Sequence, residues 1–364
     1  MKRKLRVAVL FGGKSAEHEI SLISARNIVE AMDKKKYNIV AIGIDKDGRW
    51  FLDERARLLG AQGRAQIARL RQGDRTAVVP GADHRSLIRV LPPRGLGGVD
   101  VVFPVLHGPF GEDGTVQGLL KTANIPFVGA GILGSAVGMD KDVMKRLLRD
   151  AKIPTANFLV FQRNSVKHTN FARVTRTLGL PLFVKPANLG SSVGISKIQD
   201  RRQFNAAVKQ ALRFDDKILV EEFIRGREIE CAVLGNENPV ASLPGEIITH
   251  HDFYSYDAKY IDENGAQLLI PAKLSPGAVR AVRQLAIQTF EALCCEGMAR
   301  VDFFLRSDGS VLVNEINTIP GFTKISMYPK LWEASGIPYS RLIDRLIQLA
   351  LERFRKDQNL RNSI

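Results

Sequence analysis

Continuous apolar runs alternate with glycine-rich polar loops along the first third of the chain. Residues 5–11 (LRVAVLF), Tyr37 to Ile44 and Val99 to Leu106 are runs of the kind buried on both faces of a parallel sheet. Between the first two, Ser21 to Met32 has the periodicity of a helix. Asp47-Gly48 predicts a turn before Trp50-Phe51. From Asp53 to Arg94 the pattern weakens into Arg, Gly and Ala, which predicts a variable, partly helical insertion on the surface.

A new alternation starts near Met139-Asp140-Lys141, which marks a domain boundary. It predicts a helix over Lys141 to Arg149, a strand at Phe158 to Phe161, a helix around Asn170 to Leu178, and strands at Pro181 to Pro186 and Lys217 to Phe223. Gly226-Arg227-Glu228-Ile229-Glu230 begins a further strand. His250 to Ile261 has aromatic and polar residues without a clean period and predicts a folded loop over something. Pro276 to Leu293 and Tyr339 to Arg355 are amphipathic helices, and residues 356–364 are expected to fray.

The run Arg300 to Gly321, RVDFFLRSDGSVLVNEINTIPG, predicts a hairpin, because Val301 to Leu305 and Val311 to Ile316 flank the turn dipeptide Asp308-Gly309. If Ser307 and Ser310 close a two-residue loop without a bulge, Asp302 lies opposite Glu315 and Arg300 opposite Asn317. Alternation then puts all four on one face. Two carboxylates beside an amide oxygen form a hard-oxygen set suited to Mg²⁺, which leaves coordination positions open for phosphate. Arg300 would then meet anionic charge, and the backbone amides of Thr318-Ile319-Pro320-Gly321 would face an anion.

Composition narrows the class. With 364 residues, two or three domains are expected, and a hydrophobic content of 45% is that of a globular chain. There is no apolar stretch of the length needed to span a bilayer, and the N-terminus runs straight into a strand pattern, so a cytoplasmic protein without a membrane role is expected. The formal net charge of +15 comes from scattered Lys and Arg without a basic, aromatic-interleaved stripe, which points to anionic substrates and away from nucleic acid. Cys231, Cys294 and Cys295 lack metal-ligand spacing and read as reduced core residues.

Two glycine motifs fail as nucleotide signatures. Gly12-Gly13-Lys14-Ser15 looks like the end of a phosphate loop, yet Ala8 stands where the first glycine is needed. Gly129 to Gly134 spells GxGxxG, but the acid that should end a second strand is Asp150, at the end of a helix. Three other loops carry more. Glu17, His18 and Glu19 sit where the first glycine turn opens into a helix, and His107 to Thr115 is a polar glycine loop at a strand's carboxyl end, where open parallel sheets bind ligands. Lys185 stands among apolar neighbours at a strand end and is followed by Asn188 to Ile195; a buried lysine beside a Gly/Ser loop suits phosphates.

Together these motifs resemble the ATP-grasp D-alanine:D-alanine ligases of bacterial cell-wall synthesis. The resemblance rests on FGGKSAEHEISL, LHGPFGEDGT, MDKDVMKRLL, FVKPANLGSSVGISK, GREIECAVLG, FYSYDAKYID, GMARVDFFL and NEINTIPGFTKISMYPKLW, and spans nearly the whole chain except residues 53–94. It implies an α/β ATP-grasp architecture of three domains: an open parallel α/β sheet over 1–139, then ATP-grasp domains over 140–221 and 222–364 that sandwich the nucleotide. It implies that two D-alanines are joined through a D-alanyl phosphate, giving ADP and phosphate for peptidoglycan synthesis.

The resemblance also implies roles for individual residues. Lys141, Lys185 and Lys259 would hold nucleotide phosphates, Glu221 the adenine and Glu228 the ribose, with Ile224 and Phe253 also at the ATP site. Asp302, Glu315 and Asn317 would hold two Mg²⁺ ions, which Mn²⁺ can replace. Glu17, helped by His107, would hold the first D-alanine's ammonium; Ser191 and Tyr260 would join Glu17 in a hydrogen-bond network. Ser326 and Met327 would receive the second D-alanine's carboxylate, and Arg300 with the Gly321 amide would meet the oxyanion. The loop 250–261 would be a lid that keeps water from the acylphosphate. Lys259 and Tyr260 stand as in the dipeptide-forming members, and a homodimer is expected.

Overall fold

A computed structural model of the chain describes residues 3–53, 74–78, 87–90, 93–95, 98–166, 169–249 and 266–360. The first sheet gathers β1 (Leu5–Gly12), β2 (Tyr37–Ile44), β3 (Trp50–Asp53), β4 (Asp74–Val78), β5 (Leu87–Val90), β6 (Pro93–Gly95) and β7 (Val101–Val105) in the order β6-β5-β4-β3-β2-β1-β7. Its central strands are the three apolar runs, with β1 parallel to both β2 and β7. The insertion departs from the expectation: its described residues are strands, which extend the sheet antiparallel from β3 onward. Arg-rich local composition hid them, because edge strands gain their order from the neighbouring ladder as much as from their own pattern.

Helix α1 (His18–Ala31) follows β1, while α2 (Thr115–Thr122) and α3 (Ile132–Met139) follow β7. Gly134, the last glycine of the rejected fingerprint, is a packing position. A Cβ there would lie 2.7 Å from the Cys294 carbonyl oxygen, so α3 can approach that turn only with glycine. Helix α4 (Lys141–Asp150) begins at Asp140, whose carboxylate accepts from the amides of Asp142 and Val143.

The second sheet is antiparallel and has the order β10-β9-β11-β8, built from β8 (Phe158–Gln162), β9 (Leu182–Pro186), β10 (Ser196–Ile198) and β11 (Lys217–Glu222). It is covered by α5 (Phe171–Leu178) and α6 (Arg201–Ala211), whose Val174, Phe204 and Val208 meet Leu182, Val184 and Val220 in one core. The third sheet comprises β12 (Arg227–Gly235), β13 (Val240–Ala241), β14 (Gly245–Thr249), β15 (Ala266–Leu269), β16 (Gly297–Leu305) and β17 (Val311–Asn317). Its order is β15-β14-β12-β16-β17, with β13 added beside β12. Helix α7 (Pro276–Ala292) buries Val282, Ala286 and Phe290 against one face, where Met144 and Leu148 of α4 join the same core.

The β16-β17 hairpin reaches the expected register by a different route. Arg306 and Ser310 close a loop of residues 307–309, in which the Gly309 amide donates to the Arg306 carbonyl and Gly309 has φ +84°. That loop is one residue longer than a two-residue turn, and Phe303 therefore pairs with Val313. A register shift between Asp302 and Phe303 then inserts Asn314 as an extra residue and restores the offset. Asp302 faces Glu315 and Arg300 faces Asn317, as expected, because the longer loop and the bulge cancel.

Helices α8 (Met327–Ala334) and α9 (Tyr339–Gln358) fasten the third sheet to the first. Helix α9 continues past the expected fraying point to Gln358. Phe322 is fully buried and its ring contacts Phe103 of β7, Tyr328 and Tyr339. Arg353 is also buried and donates to the Gly129 carbonyl at 2.6 Å and the Phe127 carbonyl at 2.8 Å, with its guanidinium over the Phe127 ring. Arg353→Met would leave two carbonyls without their donor. Hydrogen bonds to charged groups contribute about 1.5–3 kcal/mol each, so a loss of about 3–6 kcal/mol is expected. A lower urea midpoint at unchanged slope would show it.

Candidate active site

The glycine turn after β1 is forced by space. Gly12 has φ +91°, and a Cβ there would sit 2.2 Å from the Ile44 carbonyl oxygen of β2. Ser21 of α1 accepts from the Gly12 amide at 2.7 Å and donates to the Val105 carbonyl, which locks the ends of β1 and β7 to the helix. This frame presents Glu17, one residue before α1 and 8% exposed, to the crossing point of the sheets.

Glu17 is met from the second sheet by Ser191, whose hydroxyl donates to its Oε1. Ser191 and Ser192 have φ +51° and +59°, left-handed conformations that non-glycine residues adopt at a cost of about 1–3 kcal/mol. Gly108 and Gly190 leave room for the other oxygen, since a Cβ on either would lie 3.1 or 3.5 Å from Glu17 Oε2. His107 is buried beside them. Its Nδ1 is 3.0 Å from the Ile319 carbonyl and therefore carries the proton, and its Nε2 is 3.5 Å from Ser24 Oγ. Burial pushes the imidazole's pKa down, against the pull of Glu17, so the ring is neutral.

Glu112 is a residue that sequence reasoning left without a role. One carboxyl oxygen accepts from the Gly108 amide at 2.6 Å and the other from the Ile319 amide at 3.2 Å, joining the loops after β7 and β17. The Ile319 amide, expected to face an anionic ligand, is thus engaged by a side chain. Burial, reinforced by the nearby Glu17 charge, pushes the Glu112 carboxyl up to about 8. The available signal was an acid inside a polar glycine loop at a strand's carboxyl end.

On the hairpin, the Arg300 Nε and Nη2 donate to the two Asp302 oxygens, each at 2.7 Å, and Asn317 Nδ2 donates to Asp302 at 3.0 Å. Glu230, which pairs with Asp302 across β12, lies 2.8 Å from Arg300 Nε. Burial alone would lower the guanidinium's pKa, but Asp302 and Glu230 hold it well above its usual value. Lys141 Nζ lies 3.5 Å from Glu315 and donates to the Leu189 carbonyl at 2.6 Å, so one lysine ties α4 and the Gly/Ser loop to the hairpin.

Deeper in, Glu221 of β11 is ion-paired with two lysines: Lys145 of α4 reaches Oε1 at 2.5 Å and Lys185 of β9 reaches Oε2. Lys145 was missed in the sequence, although it stands one helical turn from Lys141 on the buried face of α4. Ile224 is buried against Ala156 and Leu312, and Glu228 lies half-buried on β12. At the far side, Ser326 Oγ accepts from the Thr323 amide at 2.9 Å. A Cβ on Gly321 would lie 2.7 Å from that oxygen, so a side chain there would make the Ser326 hydroxyl shift. Met327 is buried next to it. Phe253, Lys259 and Tyr260, with the whole loop 250–261, lie outside the described residues.

Among the described residues no three His, Cys, Asp or Glu side chains form a metal cage. The hairpin instead offers the Asp302 and Glu315 carboxylates and the Asn317 amide. That set fits a hard cation which takes its remaining oxygens from a phosphorylated ligand. No helix of the described residues is long and apolar enough to cross a membrane.

The Glu112 carboxyl gives a pH test. Its folded pKa lies above the ordinary 4.5, so the folded state keeps a proton that the unfolded chain has lost between about 4.5 and about 8. Its linkage term therefore lowers stability as pH rises through that window, and Glu112→Gln removes the term. Urea midpoints across the window should show the wild type losing ground to the variant with rising pH; a constant difference would contradict the assignment.

The chain resembles known proteins over nearly its whole length. The family described as "D-ala D-ala ligase N-terminus" matches residues 6–130, and the one described as "D-ala D-ala ligase C-terminus" matches residues 147–348. The chain is 52% identical to the D-alanine–D-alanine ligase of Oceanobacillus iheyensis, over 99% of each chain. It is 53% identical to D-alanine–D-alanine ligase A of Escherichia coli K12, over 99% of this chain and all of that one. Its fold superposes on the D-alanine-D-alanine ligase of Coxiella burnetii with a TM-score of 0.88, at 42% identity, covering 98% of this chain and 97% of that chain. On the VanG D-Ala:D-Ser ligase of Enterococcus faecalis it superposes with a TM-score of 0.86, at 34% identity, covering 96% of this chain and all of that chain.

Proposed function

Since the chain belongs to the D-alanine–D-alanine ligase family and has its ATP-using ligase activity in peptidoglycan synthesis, we propose how its own residues divide that work. The observation that carries the proposal is the direct contact, at one place, of side chains from all three sheets: Ser191 with Glu17, Lys141 with Glu315, and Arg300 with Asp302.

The working units are 1–139, 140–221 and 222–364, with ATP between the second and third. Three sheets support this division, and α4 is an arm of the second unit that reaches into the third unit's core. Lys141, Lys185 and Lys259 take the phosphates, Glu221 and Glu228 the adenine and ribose, and Ile224 and Phe253 pack against the nucleotide. Each described lysine already has a carboxylate partner, which the triphosphate replaces. Asp302, Glu315 and Asn317 would hold Mg²⁺, two ions in the full complex, with Mn²⁺ able to substitute. When bound, the metal supplies Lewis-acid neutralisation of the transferring phosphoryl charge.

Glu17 takes the ammonium of the first D-alanine. The neutral His107 has both ring nitrogens near protein partners, and so sets the shape of that subsite. The carboxylate of this D-alanine attacks the γ-phosphorus of ATP, the bond to the β-phosphate breaks, ADP leaves and the D-alanyl phosphate forms. The amine of the second D-alanine, held at Ser326 and Met327, then attacks the acyl carbon and phosphate leaves. Arg300 and the Gly321 N–H donate to the oxyanion of that step. Ser191 and Tyr260 tether the Gly/Ser loop and the lid 250–261 over the site, which excludes water from the acylphosphate.

The reaction takes place in the cytoplasm, where ATP is available, and the enzyme works as a homodimer. Leu119, Ile132 and Leu133, exposed on α2 and α3, are apolar surface that a second copy would cover, and light scattering on the purified chain tests this.

Purified protein with Mg-ATP and D-alanine should release phosphate and yield a dipeptide identified by mass, whereas L-alanine should give neither. Turnover only when D-serine or D-lactate is added would overturn the second-subsite assignment. Arg300→Ala should lower kcat by about 10²–10³, the usual loss for one oxyanion donor, with a much smaller change in the KM for ATP.

A further inference from the structure

The three-charge cluster at Glu221 holds one more lysine than phosphate binding requires. Lys145 is fully buried, its Nζ is 2.5 Å from Glu221 Oε1, and it lies 5.7 Å from the centroid of the Phe158 ring on β8. Phe158 and Phe183 are the cross-strand neighbours of Glu221, so the carboxylate, the lysine and the ring form one packed unit. A buried lysine needs a compensating partner, and Lys145 has it in the Glu221 carboxylate.

The two lysines differ in what they can do next. Lys185 sits at the end of β9, 8% exposed, immediately before the Gly/Ser loop, and can turn towards a phosphate. Lys145 has no such path: it rises from the buried face of α4 and is closed in by Phe158. If Lys185 leaves for the nucleotide, Glu221 would become a buried carboxylate without a counter-ion and would take up a proton, unless Lys145 remains. Its charge state decides what it recognises. An ionised carboxylate only accepts hydrogen bonds, whereas a protonated one can also donate.

We propose that Lys145 is a positioning residue for nucleotide selection: fixed against Phe158, it keeps the Glu221 carboxylate charged and aimed when Lys185 turns to the phosphates. The site then takes 6-aminopurine nucleotides, whose exocyclic amine donates to Glu221, and refuses 6-oxopurine nucleotides, whose oxygen would face it. This rests on the roles proposed above for Glu221 and Lys185. In the free protein burial works against ionisation of Glu221, yet Lys145 and Lys185 together hold its pKa below the usual carboxylate value, while burial lowers the Lys145 ammonium's pKa against the pull of Glu221.

The test compares full-chain wild type, Lys145→Met and Glu221→Gln, with kcat/KM measured for ATP and for inosine triphosphate at saturating D-alanine. The wild type should prefer ATP. Lys145→Met should lower the ATP-to-ITP ratio about tenfold, equal to about 1.4 kcal/mol, mainly through the KM for ATP. A simple loss of stability would lower both nucleotides alike and leave the ratio unchanged. A ratio that falls in Glu221→Gln but not in Lys145→Met overturns the inference and leaves Glu221 at the base. A ratio unchanged in Glu221→Gln overturns the reading of Glu221 itself, and the inference with it. If Lys145→Met fails to fold, the double variant Lys145→Met/Glu221→Gln, which leaves no carboxylate short of a partner, should show the same low ratio as Glu221→Gln; a higher ratio in the double variant would overturn the inference.

Discussion

A buried charge must be matched by an opposite one, and the arrangement of this protein follows from that constraint at the place where its three sheets meet. Arg300, Lys141, Lys145 and Lys185 are all largely shielded from water, and isolated buried cations would cost far more than a domain's whole stability. Each is matched: Arg300 by Asp302 and Glu230, Lys141 by Glu315, Lys145 and Lys185 by Glu221. Such pairs break roughly even against hydrophobic packing, so they are weak as sources of stability. Their value lies in exchange. A ligand carrying phosphates and metal can replace one partner of a pair at little net cost, because the desolvation was already incurred on folding.

The same pairs hold the architecture together. Lys141 and Lys145 leave α4 on one face and meet carboxylates on β17 and β11, so a single helix reads the relative position of two sheets. On the other side, neutral contacts do the joining. Phe322 takes the Ser24 hydroxyl at its amide and the Asn27 and Tyr339 side chains at its carbonyl, while its ring packs on Phe103. Glu112 and His107 both hold Ile319, at its amide and its carbonyl respectively. The segment 318–322 is therefore fixed to the first sheet from both sides. Gly321 lies between two such fixed points.

How far the sequence revealed this depends on the range of the forces involved. The parallel strands, α1, α4, α7 and the hairpin were legible because each carries its own periodicity and turn chemistry. The facing of Asp302 and Glu315 was also legible, though through a turn one residue too short and a bulge at Asn314 that was not foreseen; a bulge has no local signature beyond an extra residue. Glu112, Lys145 and Glu230 were not assigned roles, because their partners come from distant segments and a single acid or base in an amphipathic pattern ordinarily reads as solvated surface. The strands at 74–95 were missed for a related reason: composition there is Arg-rich, and pairing with β3 supplies the order that the local pattern lacks.

The Gly/Ser loop shows how strain and charge come to act together. Ser191 and Ser192 both hold left-handed backbone, a cost of about 1–3 kcal/mol each, and the Ser191 hydroxyl is held by Glu17. A hydrogen bond to a carboxylate contributes about 1.5–3 kcal/mol, comparable with the strain it holds. Glu17 thus helps to keep the loop in place, beside the Lys141 contact to the Leu189 carbonyl. On the proposed reading Glu17 also receives the ammonium of the first D-alanine, at the oxygen that Ser191 does not hold. Substrate and loop then stabilise the same ionised carboxylate from opposite sides, so occupancy of the first subsite and closure over the phosphates are coupled through one side chain.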